Sequence, residues 1–234
     1  MHNTVEKILA KIKTDKNLDF TEYRESTITR RINRRVLFSS VHTIPEYFKL
    51  IKKDAKELDT LAKDLTIHVT ESFRDPETWE IFKKTIKEET QIRPNKKWKI
   101  WSAGCSTGEE VYSLASMYDD LNLKTTITGT DIDQACLEKA VSQPQYNAKQ
   151  KNIHFCHHDL VQDEPLGKFD LIDCRNVLIY FSEILQGKVL HKFYRSLKPK
   201  GILWLGNSET LRGESATWFE TIDSKARIYR KKRI

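Results

Sequence analysis

The segment KIWSAGCSTGEEVYSLA, residues 99–115, leaves an apolar run, crosses Gly104 and Gly108, and enters a stretch with helical spacing. A strand that turns at once into a helix reaches a parallel neighbour only through a crossover, so this one feature points to an α/β fold. The rest of the C-terminal part keeps the same texture. Short apolar runs recur at WKIWSA, TTITGTDI, NIHFC, FDLIDC and GILWLG, with ARIYR near the end, and helical segments are predicted at 108–120, 133–141 and 183–197. The expectation is a Rossmann-like, mostly parallel sheet covered on both faces.

The first ninety residues read differently. NTVEKILAKIK, TEYRESTITRRINRRVLF, IPEYFKLIKK and KELDTLAKDLTIHV carry apolar residues at helical spacing, with no alternating strand pattern between them. This predicts an all-α N-terminal domain over 1–90, a polar linker at about 88–97 in EETQIRPNKK, and the α/β domain over 91–234. A chain of 234 residues with 38% hydrophobic and 31% charged content can support one large core and a smaller unit. No apolar run approaches the roughly 18 residues of a membrane span, and the N-terminus lacks a secretory leader pattern, so a cytoplasmic location is expected.

Cys105, Cys136, Cys156 and Cys174 form no CxxC pair, which argues against a zinc knuckle or disulfide framework and for reduced, mostly buried thiols. His154, Cys156 and His158 alternate along IHFCHHD, but the run reads as a buried strand with no second ligand cluster, so no metal site is expected. The tryptophans Trp98, Trp101 and Trp204 are expected to pack the sheet. A formal charge of +7 favours an acidic partner: nucleic acid, an anionic membrane face or an acidic protein surface.

What the opening turn holds follows from its chemistry. Two glycines let the backbone approach a ligand, and Ser106 and Thr107 add hydroxyls. The spacing is G-x-x-x-G rather than G-x-G-x-x-G, and the carboxylates of Glu109 and Glu110 follow at once, which would repel a phosphate from that helix end. Asp131, 21 residues beyond Glu110 at the end of the second strand, can accept hydrogen bonds from both ribose hydroxyls. Ribose without pyrophosphate, beside acids that tolerate a cation, suggests S-adenosylmethionine. Taken singly, a glycine turn is a common feature and an Asp after a strand is often only a helix cap.

The stretches DFTEYRESTITRRINRRV, VTESFRDPETWEIF, IWSAGCSTGEEVYSLA, TDIDQACLEKA, HDL and FDLIDCRNVLIYFSEILQGKVLHKFYRSLKPKGILWLGNSETL together resemble the chemotaxis receptor glutamate methyltransferases, in that family's order. The resemblance implies a helical N-terminal domain and an S-adenosyl-L-methionine-binding α/β domain. It also implies an enzyme that forms methyl esters on glutamate side chains of chemoreceptors and releases S-adenosyl-L-homocysteine. Carried over by motif, the cofactor residues would be Thr70 and Arg74, Glu110, Asp131, Asp159 and Leu160, and Arg175 and Asn176, beside Gly104 of the opening turn; His68 stands where many relatives have Asn. The helix bearing Arg30, Arg31, Arg34 and Arg35 would face an acidic helical region of the receptor, which would be the chain's only tie to the membrane. Spacings of four stack Arg30 with Arg34 and Arg31 with Arg35 into one stripe, whose plain alternative is a solvated helix face.

Three departures from the family pattern stand out. Val111 replaces a common proline, and Ser72 replaces the first aromatic of the FFRD motif. Only VSQPQYNAKQK lies where relatives carry a small β-subdomain, too short for three strands, so binding of a receptor C-terminal tail peptide is not expected. Methyl transfer to an already ionised carboxylate needs positioning more than a strong base. Arg74 is the candidate for gripping a carboxylate, of substrate or of cofactor, while Tyr180 either donates to the substrate carboxylate or packs as a core aromatic. A nucleic-acid methyltransferase would typically carry an Asn or Asp followed by two prolines and an aromatic where this chain has CRNVLIYF, so no nucleic-acid partner is expected. A non-catalytic cofactor sensor or receptor-docking module is a further alternative, decided by direct measurement of methyl transfer.

Overall fold

The computed structural model describes residues 2–143 and 152–232, and its contacts divide the chain into two units. The first holds the residues through Ile67 together with Tyr180–Leu185. It is built from α1 (His2–Lys16), α2 (Glu25–Phe38), α3 (Ile44–Ile51) and α4 (Ala55–Leu65). Local chemistry sets their starts. Thr43 Oγ1 accepts the Glu46 N–H at 3.3 Å while the Glu46 carboxylate accepts the Thr43 N–H at 3.2 Å, a reciprocal cap ahead of α3. Asp54 caps α4 by accepting from Lys56 and Glu57 N–H at 2.9 and 3.2 Å. The helices bury Ile8, Ile12, Ile32, Tyr47 and Leu61 against one another. Residues 180–185 join this core through backbone bonds, Arg24 N–H to the Tyr180 carbonyl and Ser182 N–H to the Glu22 carbonyl, both 2.9 Å.

The second unit holds His68–Ile179 and Gln186–Ile234. Its elements are α5 (Pro76–Ile92), β1 (Trp98–Ala103), α6 (Glu109–Asp120), β2 (Thr125–Asp131), α7 (Gln134–Ser142), β3 (Ile153–His157), β4 (Phe169–Cys174), most of α8 (Glu183–Ser196), β5 (Leu197–Leu205), α9 (Ser215–Trp218), β6 (Phe219–Asp223) and β7 (Ile228–Lys231). The sheet order is β3-β2-β1-β4-β5-β7-β6, parallel from β3 through β5, with β7 antiparallel to both β5 and β6. Strand order reverses between β1 and β4, which opens a crevice beyond their carboxyl ends.

Trp98, Trp101 and Trp204 are buried in this sheet as expected. Three features differ from the sequence reading. The polar stretch 88–97 is not a boundary: it finishes α5 and turns into β1, and the division falls at Ile67 and His68 instead. The cause is the apolar face of α5, where Trp79, Phe82 and Ile86 enter the sheet's core and Phe82 stacks on Trp204 with ring centroids 3.9 Å apart. β3 is not buried; it lies at the sheet's edge, with His154 and Cys156 exposed. β6 was not expected, because FETID buries only Phe219 fully, packs Ile222 in part and keeps a polar outer face. Residues 144–151, most of the interval in which no β-subdomain was expected, lie outside the described residues. Among the described residues no helix is long and apolar enough to cross a membrane.

Asp170 ties the lower end of the sheet together. It accepts the Lys99 N–H at 2.9 Å, Lys198 Nζ at 2.9 Å and Lys96 Nζ at 3.0 Å. Burial alone would raise this carboxyl, but the bonds from Lys198, Lys99 and Lys96 outweigh it and hold the pKa below the usual range. The unfolded chain then takes up this proton at a higher pH than the native one. The stabilisation is present above the ordinary carboxylate pKa and lost as pH falls through the lowered native value. Replacing Asp170 with Asn should flatten the acid limb of stability between about pH 5 and pH 2, read from urea midpoints.

Candidate active site

The turn after β1 is held by the end of β2. Gly104 and Cys105 donate their N–H groups to the Thr130 carbonyl at 2.8 and 2.9 Å, and Gly104 has φ +75. A Cβ at Gly104 would sit 2.6 Å from a methyl of Val177, so glycine is required by space as well as by conformation. Asp131 is buried and ties two turns: one oxygen accepts the Ser106 N–H at 2.8 Å, the other the Asp133 N–H at 2.9 Å. Each oxygen retains acceptor capacity for a hydroxyl.

The loop after β3 is fixed from both sides. Asp159 accepts the Val161 and Gln162 N–H groups at 2.7 and 3.3 Å, and its own N–H reaches Asp163 at 2.7 Å. Lys192 on α8 donates to the carbonyls of Leu160, Val161 and Asp163 at 3.1, 2.9 and 2.6 Å. Asp159 and Leu160 are therefore held by a cation that the sequence reading did not single out.

Arg175 leaves β4 with its side chain wholly buried. It donates to Glu110 at 2.5 Å, to the Arg74 carbonyl at 2.8 Å and to Asp75 at 3.1 Å, and its guanidinium lies 4.5 Å from the Trp204 ring centroid. Burial pushes the Glu110 carboxyl up, against the pull of Arg175, while the Arg175 guanidinium stays charged, its burial outweighed by Glu110 and Asp173. Asp173 is pushed well up, first by burial and then by the Glu110 charge. The loop that Arg175 grips is strained: Phe73 and Asp75 have φ 50 and φ 57, conformations that cost on the order of 1–3 kcal/mol each. The Phe73 N–H is pinned by Ser113 Oγ at 3.0 Å, and Arg74 between them is half-exposed, with Nη1 3.3 Å from the Val69 carbonyl.

The structure thus joins Arg74, Glu110 and Arg175 directly, and sets Asp131 against the Gly104 turn. Thr70 lies half-exposed on the loop leading to Arg74. His68 meets Asp133, with Nε2 2.9 Å from its carboxylate. Together with Cys136 these two bring three ligand-type atoms within 4.8 Å of one another, an arrangement explained by Asp133 capping α7 while pairing with His68. Tyr180 belongs by its contacts to the first unit. The arginine stripe is not a single surface. Arg30 and Arg34 are exposed and Arg31 is half-buried, but Arg35 turns inward to Glu57, with bonds of 3.0 and 2.7 Å, where Tyr47 also donates at 2.6 Å. Glu209, which the sequence reading passed over within GNSETL, accepts four backbone N–H groups, three of them from the residues that follow Arg175.

The donor set is that of a cationic, hydroxyl-bearing ligand. Carboxylates of Asp131, Asp159 and Glu110 line the carboxyl ends of β1, β2 and β3, and Asn176 Oδ1 is a buried acceptor with no partner among the described residues. Such a set fits a sulfonium, an ammonium and a ribose better than a pyrophosphate.

Comparison with known proteins agrees with this chemistry. Residues 3–66 match the family described as CheR methyltransferase, all-alpha domain, and residues 68–150 and 144–228 match CheR methyltransferase, SAM binding domain. A chemotaxis protein methyltransferase of Listeria innocua is 34% identical over 86% of this chain and 87% of its own length, and one of Listeria monocytogenes gives the same figures. Among solved structures, PKMT2 from Rickettsia typhi in complex with AdoHcy is 27% identical over 46% of this chain and 20% of that chain, with a TM-score of 0.40, too partial a likeness to argue from.

Two substitutions probe the site. Asp131→Ala should weaken S-adenosylmethionine binding by about 1.5–3 kcal/mol in calorimetry, the scale of hydrogen bonds to a charged group. Arg175→Met should destabilise the fold by about 3–5 kcal/mol in denaturant titration, because it strands the Glu110 carboxylate in the interior.

Proposed function

The chain belongs to the CheR methyltransferase family, whose cofactor is S-adenosyl-L-methionine, and from that premise we propose that it esterifies glutamate side chains of a chemoreceptor in the cytoplasm. When bound, the cofactor supplies a methyl group on a sulfonium, with the neutral thioether of S-adenosyl-L-homocysteine as leaving group. The acceptor carboxylate is already ionised at neutral pH, so a lone pair on its oxygen forms the new bond and no side chain has to take a proton.

The residues of the chain act by placement. Asp131 would accept from the ribose hydroxyls, and Asp159 with Leu160 would border the cofactor on the loop clamped by Lys192. Asn176 Oδ1 would accept a hydrogen bond from the cofactor. Thr70 and His68 border the same ligand. Arg74 grips a carboxylate through its planar fork. Tyr180 is retained as a donor to the substrate carboxylate, and Tyr180→Phe tests its phenol alone. The observation that carries the reading is that Arg74 stands on a strained turn fastened by Arg175 to Glu110. Strain of that kind persists where a side chain has to be aimed. Substrate selection rests on the exposed Arg30 and Arg34, with half-buried Arg31 beside them, facing an acidic helical region of the receptor.

Incubation with labelled cofactor and receptor-bearing membranes, followed by mild alkali, should release protein-bound label as methanol; alkali-stable label would exclude carboxyl esters. Arg30→Glu with Arg34→Glu should raise KM for the protein substrate by about 3- to 10-fold and flatten its salt dependence, leaving cofactor affinity unchanged. A free peptide of the receptor's C-terminal tail should give no heat of binding in calorimetry, since the interval 141–151 holds too few residues for a sheet edge that could receive it.

A further inference from the structure

Glu209 lies just beyond β5 and is 4% exposed. One carboxylate oxygen accepts the N–H groups of Gly206 and Asn176 at 2.6 and 3.0 Å, and the other those of Val177 and Leu178 at 2.9 and 2.7 Å. Successive backbone N–H groups converging on one point make an anion-binding concavity. Here the chain fills that concavity with its own side chain.

Two further observations show that the arrangement is built. Asn176 has φ 61, a left-handed conformation that turns consecutive N–H groups toward one side. Gly206 admits no side chain, since a Cβ there would fall 2.8 Å from both the Asn176 nitrogen and Glu209 Oε2. Burial raises the Glu209 carboxyl above the usual range, and the four N–H groups offset this only in part. All four partners are donors, so only the ionised form satisfies them. A proton, or an amide nitrogen in place of one oxygen, would face a donor with another donor.

The backbone held in this way continues directly from Arg175 at the carboxyl end of β4, beside the point where strand order reverses. It carries Asn176, whose Oδ1 is buried without a partner among the described residues. We propose that Glu209 is a positioning residue for methyl transfer: its carboxylate locks residues 176–178 so that Asn176 is set against the bound cofactor. The inference rests on the methyltransferase reading and is independent of which carboxylate accepts the methyl group.

The test uses the full chain. Glu209→Gln should lower kcat by about 10- to 100-fold, the scale of an ångström-sized misplacement, and raise the cofactor Kd in calorimetry, because the Asn176 contact is displaced. Glu209→Asp should keep more of the activity than the Gln variant. Glu89→Gln is the control for lost stability, because Glu89 is a buried carboxylate bonded to Arg93 and Arg230. It should lower Tm and leave kcat unchanged. In Glu209→Gly the vacated concavity should accept formate, so kcat should recover saturably with formate and not with chloride at equal ionic strength. Amide exchange at 176–178 should quicken in that variant and slow again with formate, a readout that needs no turnover. Unchanged kcat in Glu209→Gln overturns the proposal, as does a fall in kcat that merely follows Tm or a Gly variant indifferent to formate by both measures. If Glu209→Gly does not fold, the Gln and Asp variants decide. A wild-type chain that esterifies no receptor would remove the substrate assignment alone, and amide exchange with cofactor calorimetry would still decide the role of Glu209.

Discussion

The charge of Arg175 must be balanced before the rest of the site can be placed. Its side chain has no exposed surface, and a guanidinium in that position is tolerable only with carboxylates and carbonyls on its donors and an aromatic face beneath it. Glu110 comes from the start of α6, Asp75 and the Arg74 carbonyl from the loop before α5, and Trp204 from β5. Four separate segments are thereby brought to one point. The strained conformations at Phe73 and Asp75 persist because this centre over-determines them.

The neighbouring centres follow the same logic with the sign reversed. Asp131, Asp159 and Glu209 are buried carboxylates that bind backbone N–H groups, each fixing the turn after a different strand. Using side chains to satisfy turn backbone leaves the turns rigid without secondary structure of their own. The residues at the mouth of the crevice therefore stand on loops that behave like parts of the sheet. This is the placement that a reaction without general-base chemistry depends on.

Much of this was legible because it is local. The glycine turn, the apolar run before it and the helical spacing after it lie within one short segment, and Asp131 follows an apolar run of the same kind. The N-terminal helices declare themselves through the spacing of their apolar residues. What stayed hidden involves distance along the chain. Periodicity marks the apolar face of α5 without saying which core receives it. Spacings of four place Arg31 near Arg35 on a helix, but nothing local shows Glu57 of α4 drawing Arg35 inward. Glu209 follows the N–H groups of residues 176–178 by some thirty positions, with no pattern to connect them. For Arg175 the sequence predicts a cofactor contact, and what it does not show is that both Nη atoms are bonded to Glu110, Asp75 and the Arg74 carbonyl.

The place of β3 in the sheet bears on how such a chain changes length over evolution. β3 is the outermost strand and runs parallel to β2, with Ile153 paired to Ile127, so the path from α7 enters the sheet at the amino ends of the strands. The crevice lies at the carboxyl ends. An insertion after Gln143, whose Nε2 donates to Glu109 at 3.2 Å beside the turn that Asp131 holds, would break no strand register. A change of length at this seam leaves the pairing of β3 with β2, and the strand order beyond it, as they are.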